Sequence, residues 1–176
     1  MAVRKVRLYP DPILLTPTRV VSVIDDAVRE LVRDMIETMY AAPGIGLAAN
    51  QVGESLRICV VDPTAGEDPT GLRVLVNPQV VFTEGAQVGE EGCLSFPDIA
   101  LEIERPYRAR VEATDLAGHA IGVEGEGLVA RVMLHEIEHL DGHVFLERVS
   151  ALRRELVKRE IRKRMKAGDW LASAQP

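Results

Sequence analysis

The sequence predicts an α+β fold, with mixed or antiparallel β-sheets around a central helix that carries His135-Glu136-Ile137-Glu138-His139 and with further helices near the two ends of the chain. Three observations carry that expectation. Apolar residues recur at helical spacing between Asp25 and Ala41, short β-rich runs bounded by Gly, Pro and Asn follow, and a helical pattern resumes near Gly127. At 176 residues the chain suits one domain with a substantial core, expected over 1–176.

An opening turn around Tyr9-Pro10-Asp11-Pro12 precedes the first helix, from Asp25 to about Ala41. Asp25 or Asp26 caps it, Val28, Leu31, Val32, Met35, Ile36 and Met39 form its core stripe, and Pro43-Gly44 ends it. Strands are expected over 56–62, 72–77, 79–88, 101–104, 107–115 and 119–124, separated by turn chemistry at Pro63 to Gly71, Asn77-Pro78 and Ala117-Gly118. The helix that starts near Gly127 runs to about Leu140, where Asp141-Gly142 stops it. A last amphipathic helix spans about Ala151 to Met165, with Leu152, Leu156, Ile161 and Met165 on one side.

No run of eighteen apolar residues exists, and Met1-Ala2-Val3-Arg4-Lys5-Val6-Arg7 lacks the apolar centre of a signal peptide. The expected location is the cytoplasm, with no membrane partner. Reducing conditions there argue against a Cys59–Cys93 disulfide. Cys59, within Leu56-Arg57-Ile58-Cys59-Val60-Val61, reads as a small core hydrophobe, whereas Cys93 lies in a Gly-bracketed loop that suits a ligand. Charge is divided unevenly: from Arg148 to Lys166 nine Lys/Arg oppose Glu155 and Glu160, a local +7, which leaves −13 on the rest of a chain whose net charge is −6. A basic tail on an acidic body points to a polyanionic partner for the tail.

Positions four apart share a helix face, so His135 and His139 can present two imidazoles to one metal ion with Glu136 beside it. Cys93 adds a thiolate, and three protein ligands leave the fourth position open to water, as in a catalytic site. A metal there lowers the pKa of that water, and Glu136 serves as general base and then as the acid that protonates a leaving nitrogen. This is chemistry for hydrolysing an amide-like carbonyl. A zinc endopeptidase that takes a downstream Glu160 as third ligand is the rival enzyme, and a non-enzyme that binds metal or ribosome without turnover is the second alternative, with a closed structural zinc site that takes Glu91 as fourth ligand as its weaker variant.

The motifs Gly44-Ile45-Gly46-Leu47-Ala48-Ala49-Asn50-Gln51, Glu91-Gly92-Cys93-Leu94-Ser95 and His135-Glu136-Ile137-Glu138-His139-Leu140-Asp141-Gly142, in this order, resemble those of the peptide deformylases. The flanks resemble the bacterial type 1 enzymes. That resemblance implies removal of the formyl group from the N-terminal formylmethionine of nascent polypeptides, with formate released by metal-hydroxide attack. It implies Cys93, His135 and His139 as metal ligands and Glu136 as general acid/base. Gln51, through its amide, and Leu94, through its backbone N–H, would stabilise the oxyanion. Ferrous iron is the implied metal, for which Zn²⁺, Ni²⁺ or Co²⁺ substitutes. The substrate is expected to add as a strand near Gly44 to Leu47, with Gly46 permitting close approach, and Ile45, Leu128 and Val132 to shape the methionine pocket.

The chain departs from the family pattern at Leu134, which stands where a Gln is usual, at Glu138, where an Asp is usual, and at Ala100, where a larger side chain is frequent. Glu138 points about a quarter-turn away from His139 and is not read as a ligand. The basic stretch, about 148–166, resembles helices that associate with the ribosome, so ribosomal RNA is the implied polyanion and no DNA partner is expected.

Overall fold

Ile58, Cys59, Val60 and Val61 are all buried, so the strand they form, β2 (Ile58–Val61), has an apolar layer on each face. Alternation divides them. Ile58 and Val60 join the cluster built on α1 (Asp26–Ala41), while Cys59 and Val61 join the one built on α2 (Leu128–Leu140). In the computed structural model, which describes residues 2–172, the sheet runs β1 (Gly46–Ala48), β2, β3 (Arg73–Glu84), β6 (Arg108–Thr114), β7 (Ala120–Glu126), each neighbour antiparallel. Met1 and residues 173–176, the extremes of the expected 1–176 unit, lie outside the described residues. A separate antiparallel ribbon, β4 (Gln87–Cys93) and β5 (Phe96–Arg105), is inserted between β3 and β6 in the chain. The fold is α+β, and its strand pairs are antiparallel; among the described residues the one parallel contact is a bridge from Arg19 to Leu56.

α1 begins where expected: the Asp25 carboxylate accepts from Val28 N–H at 2.9 Å, and Val28, Leu31, Val32, Met35 and Met39 are buried. The second helix, α2, packs on β1, β2, β6 and β7 through Ala130, Met133, Ile137 and Leu140. A third cluster joins Leu14, Phe96, Ile103 and Phe145 to Val157 and Ile161 of α3 (Ala151–Ala167) and to Trp170 of the short α4 (Asp169–Ala172). Trp170 Nε1 donates to Tyr9 O at 2.7 Å, which ties the C-terminal helices to the opening turn.

Three expectations are corrected. Asn77-Pro78 does not separate two strands: β3 runs through it with a register shift between Val76 and Gln79. Asn77 adopts φ 53°, and its amide exchanges hydrogen bonds with the Val21 backbone at 2.8 and 2.9 Å, so the irregularity is a bulge stitched to the N-terminal segment. Cys93 ends strand β4 and is not in a loop. The inward positions of that strand are Gly89, Glu91 and Cys93, none of which supplies the apolar alternation by which strands are recognised. Finally, Leu152, Leu156 and Met165 are exposed on α3, and the core contact is made by Val157 with Ile161. Docking on Phe145 and Trp170 selects that face.

Ile161→Ala should therefore lower stability by about 2–5 kcal/mol in urea unfolding. Leu152→Ala should change it by no more than about 0.5 kcal/mol. Equal effects of the two would show that the helix docks on its other face.

Candidate metal centre and cleft

α2 places His135 and His139 one turn apart, and the end of β4 brings Cys93 against them. Cys93 Sγ is 3.2 Å from His139 Nε2, and the ligand atoms of Cys93, His135 and His139 lie within 4.8 Å of one another. No other such group of His, Cys and acidic residues occurs among the described residues, and Glu160 is exposed on α3. Two imidazoles and a thiol at this separation fit a divalent transition metal.

The site's orientation comes from Glu91, two residues before Cys93 and on the same side of β4. Its Oε2 is 2.9 Å from His135 Nδ1, so the imidazole turns Nε2 toward the cluster. Arg105 donates to Glu91 through Nε at 2.5 Å and Nη2 at 2.9 Å, and Arg131 through Nη1 at 2.7 Å. Arg105 Nη2 also reaches Glu138 Oε2 at 2.9 Å, and Arg148 Nε reaches Glu138 Oε1 at 2.6 Å. Glu138 thus belongs to an ion-pair network behind His135. Burial works against the Glu91 carboxylate, but the hydrogen bonds from His135 and Arg105 overcome it and hold the group down at about 2. Burial likewise opposes the His135 imidazolium, yet hydrogen bonds to Cys93 and Glu91 push it up to about 10. His139 is driven well below the usual imidazole range by burial and by the charge on His135.

Glu136 is 4% exposed, and its Oε2 has no hydrogen-bond partner in the protein. Burial raises its carboxyl to about 7, against the pull of His135 and Arg105, so it can take and return a proton near neutrality. Gly46 makes its place: a Cβ on Gly46 would come within 2.9 Å of Glu136 Cδ, and closer still to Oε1. The glycine therefore has a structural cause beyond the approach of a ligand. Gln51, on a short 3-10 turn (Ala49–Val52), accepts from Ala48 N–H through Oε1 at 2.9 Å. Its Nε2 then points inward, 3.2 Å from Ser95 Oγ and 3.6 Å from Cys93 Sγ.

These groups border a cleft of about 840 Å³. Cys93, His135, Glu136 and Gln51 line it together with Leu94, and its apolar wall includes Ile45, Leu128 and Val132, with Gly46 beside them. His139 is buried and does not border the cleft. Ala100 lies on its rim. Sequence reasoning missed Arg105 and Arg131 and considered Glu91 only as a fourth ligand. The shared side of β4 was a signal for Glu91. Arg105, 1% exposed, has no local signal, because its partners come from other elements.

A Cys/His/His cluster with a buried carboxylate beside it and an amide donor across from it defines a metallohydrolase-type centre on an α+β frame. Comparison with known proteins narrows the class. Residues 3–155 match the model of the family described as polypeptide deformylase. The chain is 46% identical to a peptide deformylase of Acidobacterium capsulatum over 170 residues, covering 97% of this chain and all of that protein. It is also similar to the crystal structure of a peptide deformylase from Legionella pneumophila, with a TM-score of 0.87 at 38% identity over 94% of this chain and 98% of the other. A peptide deformylase of Ehrlichia chaffeensis in complex with actinonin superposes with a TM-score of 0.86 at 36% identity, covering 93% and 98% of the two chains. The chain belongs to the polypeptide deformylase family, and it is a hydrolase.

Replacing Glu91 by Gln should weaken divalent-metal binding about 10- to 100-fold, measured by competition with a chromophoric chelator, because His135 loses the group that orients it. Unchanged affinity in folded protein would contradict that role.

Proposed function

We propose that removal of the N-formyl group from nascent polypeptides, the reaction of this family, takes place in this cleft with Glu136 as the proton carrier. The observation that carries the assignment is Glu136, which lines the cleft beside the three-donor cluster and whose buried Oε2 has no partner in the protein. Cys93, His135 and His139 would hold the metal; we read ferrous iron as the resident ion, with zinc, nickel or cobalt able to occupy the same donors. A metal there supplies a Lewis acid and lowers the pKa of water. Glu136 accepts the proton of the water that adds to the formyl carbon and returns it to the amine nitrogen as the C–N bond breaks, which leaves formate and a free N-terminus. Gln51 Nε2 and the Leu94 N–H are the donors for the oxyanion, each worth roughly 10²–10³ in rate.

β1 supports the placement of the peptide. It is the end strand of its sheet, and Asp62 N–H donates to Ile45 O at 2.8 Å, so Ile45 turns its backbone groups toward β2. By alternation Gly46 turns its N–H and C=O to the open edge, where an added strand can pair with them. Ile45, Leu128 and Val132 then form the pocket for the first side chain. We read the chain as one folding unit, because the cleft draws on α1, β1, β4, β5 and α2 together, and we place it in the cytoplasm, where nascent chains emerge. Among the described residues no helix is long and apolar enough to cross a membrane.

α3 is the surface we assign to the ribosome. Arg153, Arg159, Arg162, Lys163 and Lys166 are exposed and have no carboxylate partner among the described residues. Deleting the helix would uncover Phe145 and Leu146, so charge reversal is the cleaner test. Arg159→Glu with Lys163→Glu should weaken ribosome association and its salt dependence while turnover of a short formyl peptide persists. Unchanged association would remove the helix from this role.

The activity itself is tested by formate release from a formyl-Met tripeptide, using protein loaded anaerobically with Fe²⁺. The Glu136→Ala variant should lose at least about 10²-fold in kcat with its metal retained. No formate at full metal occupancy would overturn the reading.

A further inference from the structure

Arg131 is a buried cation with donors to spare. It is 7% exposed, borders the cleft, and projects from the same face of α2 as Leu128, Val132 and His135. All of its hydrogen bonds leave from Nη1: to Glu91 Oε1 at 2.7 Å, to Ile103 O at 3.1 Å and to Gly89 O at 3.4 Å. Nε and Nη2, which carry three N–H groups between them, donate to nothing among the described residues. Neither nitrogen is among the fully buried, unpartnered atoms of the described residues, so these donors meet water and are open to an acceptor that displaces it. The guanidinium also takes the volume that a side chain at residue 89 would occupy: a Cβ on Gly89 would lie 3.2 Å from Nη2 and 3.5 Å from Cζ. An apolar residue at 131 would complete an apolar wall for the first-residue pocket. The chain instead places a charged donor group there, with Glu91 balancing the charge and Gly89 providing the room.

We infer that Arg131 is a specificity-determining residue that lets this pocket take a hydrogen-bond acceptor at the end of the substrate's first side chain, so that formyl peptides opening on methionine sulfoxide are turned over alongside those opening on methionine. The inference rests on the reading of the cleft given above. The two side chains share length and shape up to the sulfur. The thioether is a weak acceptor, whereas the sulfoxide is polar and presents an oxygen to the donors. A wholly apolar pocket would strand that oxygen and discriminate against it by roughly 10- to 100-fold. With Nε and Nη2 in the wall, the oxygen gains a charge-assisted hydrogen bond as it leaves water.

The test compares kcat/KM for three formyl tripeptides that differ only in the first residue, methionine, methionine sulfoxide or norleucine, on the metal-loaded enzyme and on its Arg131→Met and Arg131→Gln variants. For the parent, the sulfoxide peptide should fall within about tenfold of the methionine peptide. Arg131→Met should lower the sulfoxide-to-methionine ratio at least about tenfold, with the norleucine-to-methionine ratio unmoved. Arg131→Gln, which keeps an N–H donor, should retain most of the parent's sulfoxide ratio. Both variants lose the ion pair to Glu91, so a merely structural role would depress all three peptides alike and leave the ratios unchanged, and that result overturns the inference. So does a parent that turns over the sulfoxide peptide less than about a hundredth as well as the methionine peptide. If neither Arg131 variant folds, Gly89→Val, which intrudes on the guanidinium from the strand, must lower the sulfoxide ratio; no change there also overturns it. Failure on the methionine peptide as well would sink the deformylase reading itself, a distinct outcome.

Discussion

The buried carboxylate of Glu91 is the group on which the rest of the site depends. It receives two bonds from Arg105, one from Arg131 and the Nδ1 contact of His135, and it does so on the strand that two residues later delivers Cys93. One anion thereby fixes the His135 ring, secures two guanidinium groups and couples the β4–β5 ribbon to α2. Removing one partner from a buried ion network of this kind costs about 3–5 kcal/mol, because the remaining charges stay out of water unpaired. Glu138 extends the network to Arg148, just before α3, so a charge that the helix pattern places on its outer side is still part of the support for His135.

Around that network the fold keeps apolar layers that hold the helix still. α2 buries Ala130, Met133, Ile137 and Leu140 against β2, β3 and β6, and the polar residues of its other face look toward the cleft. The clearest coupling of packing to chemistry is at Gly46, where the absent side chain leaves space for the Glu136 carboxylate at the open edge of the sheet. Because that carboxylate is dehydrated, its proton affinity rises into the neutral range, and no protein group satisfies its Oε2. Cys59, in the apolar cluster packed under α2, is fully buried, and burial with the Glu136 charge pushes its thiol well above the usual range. It is therefore an inert core residue, unlike Cys93.

What the sequence by itself determined was whatever depends on local spacing. The α1 stripe and its Asp25 cap, the strand over 56–62 with Cys59 in the core, the His135/His139 pair with Glu136, and the three motifs that carry the family resemblance were all legible, because helix and strand periodicities are properties of consecutive residues. Only the tertiary structure decided the rest. That Asn77 is a bulge bonded to Val21 depends on a partner 56 residues away, and that Glu91 meets Arg105, Arg131 and His135 on partners 14, 40 and 44 residues away, while the pairing of β4 with β5 decides that Cys93 ends a strand and docking on Phe145 and Trp170 decides the buried face of α3. A buried charge carries no periodic signal, since what permits it is an opposite charge delivered by a different element.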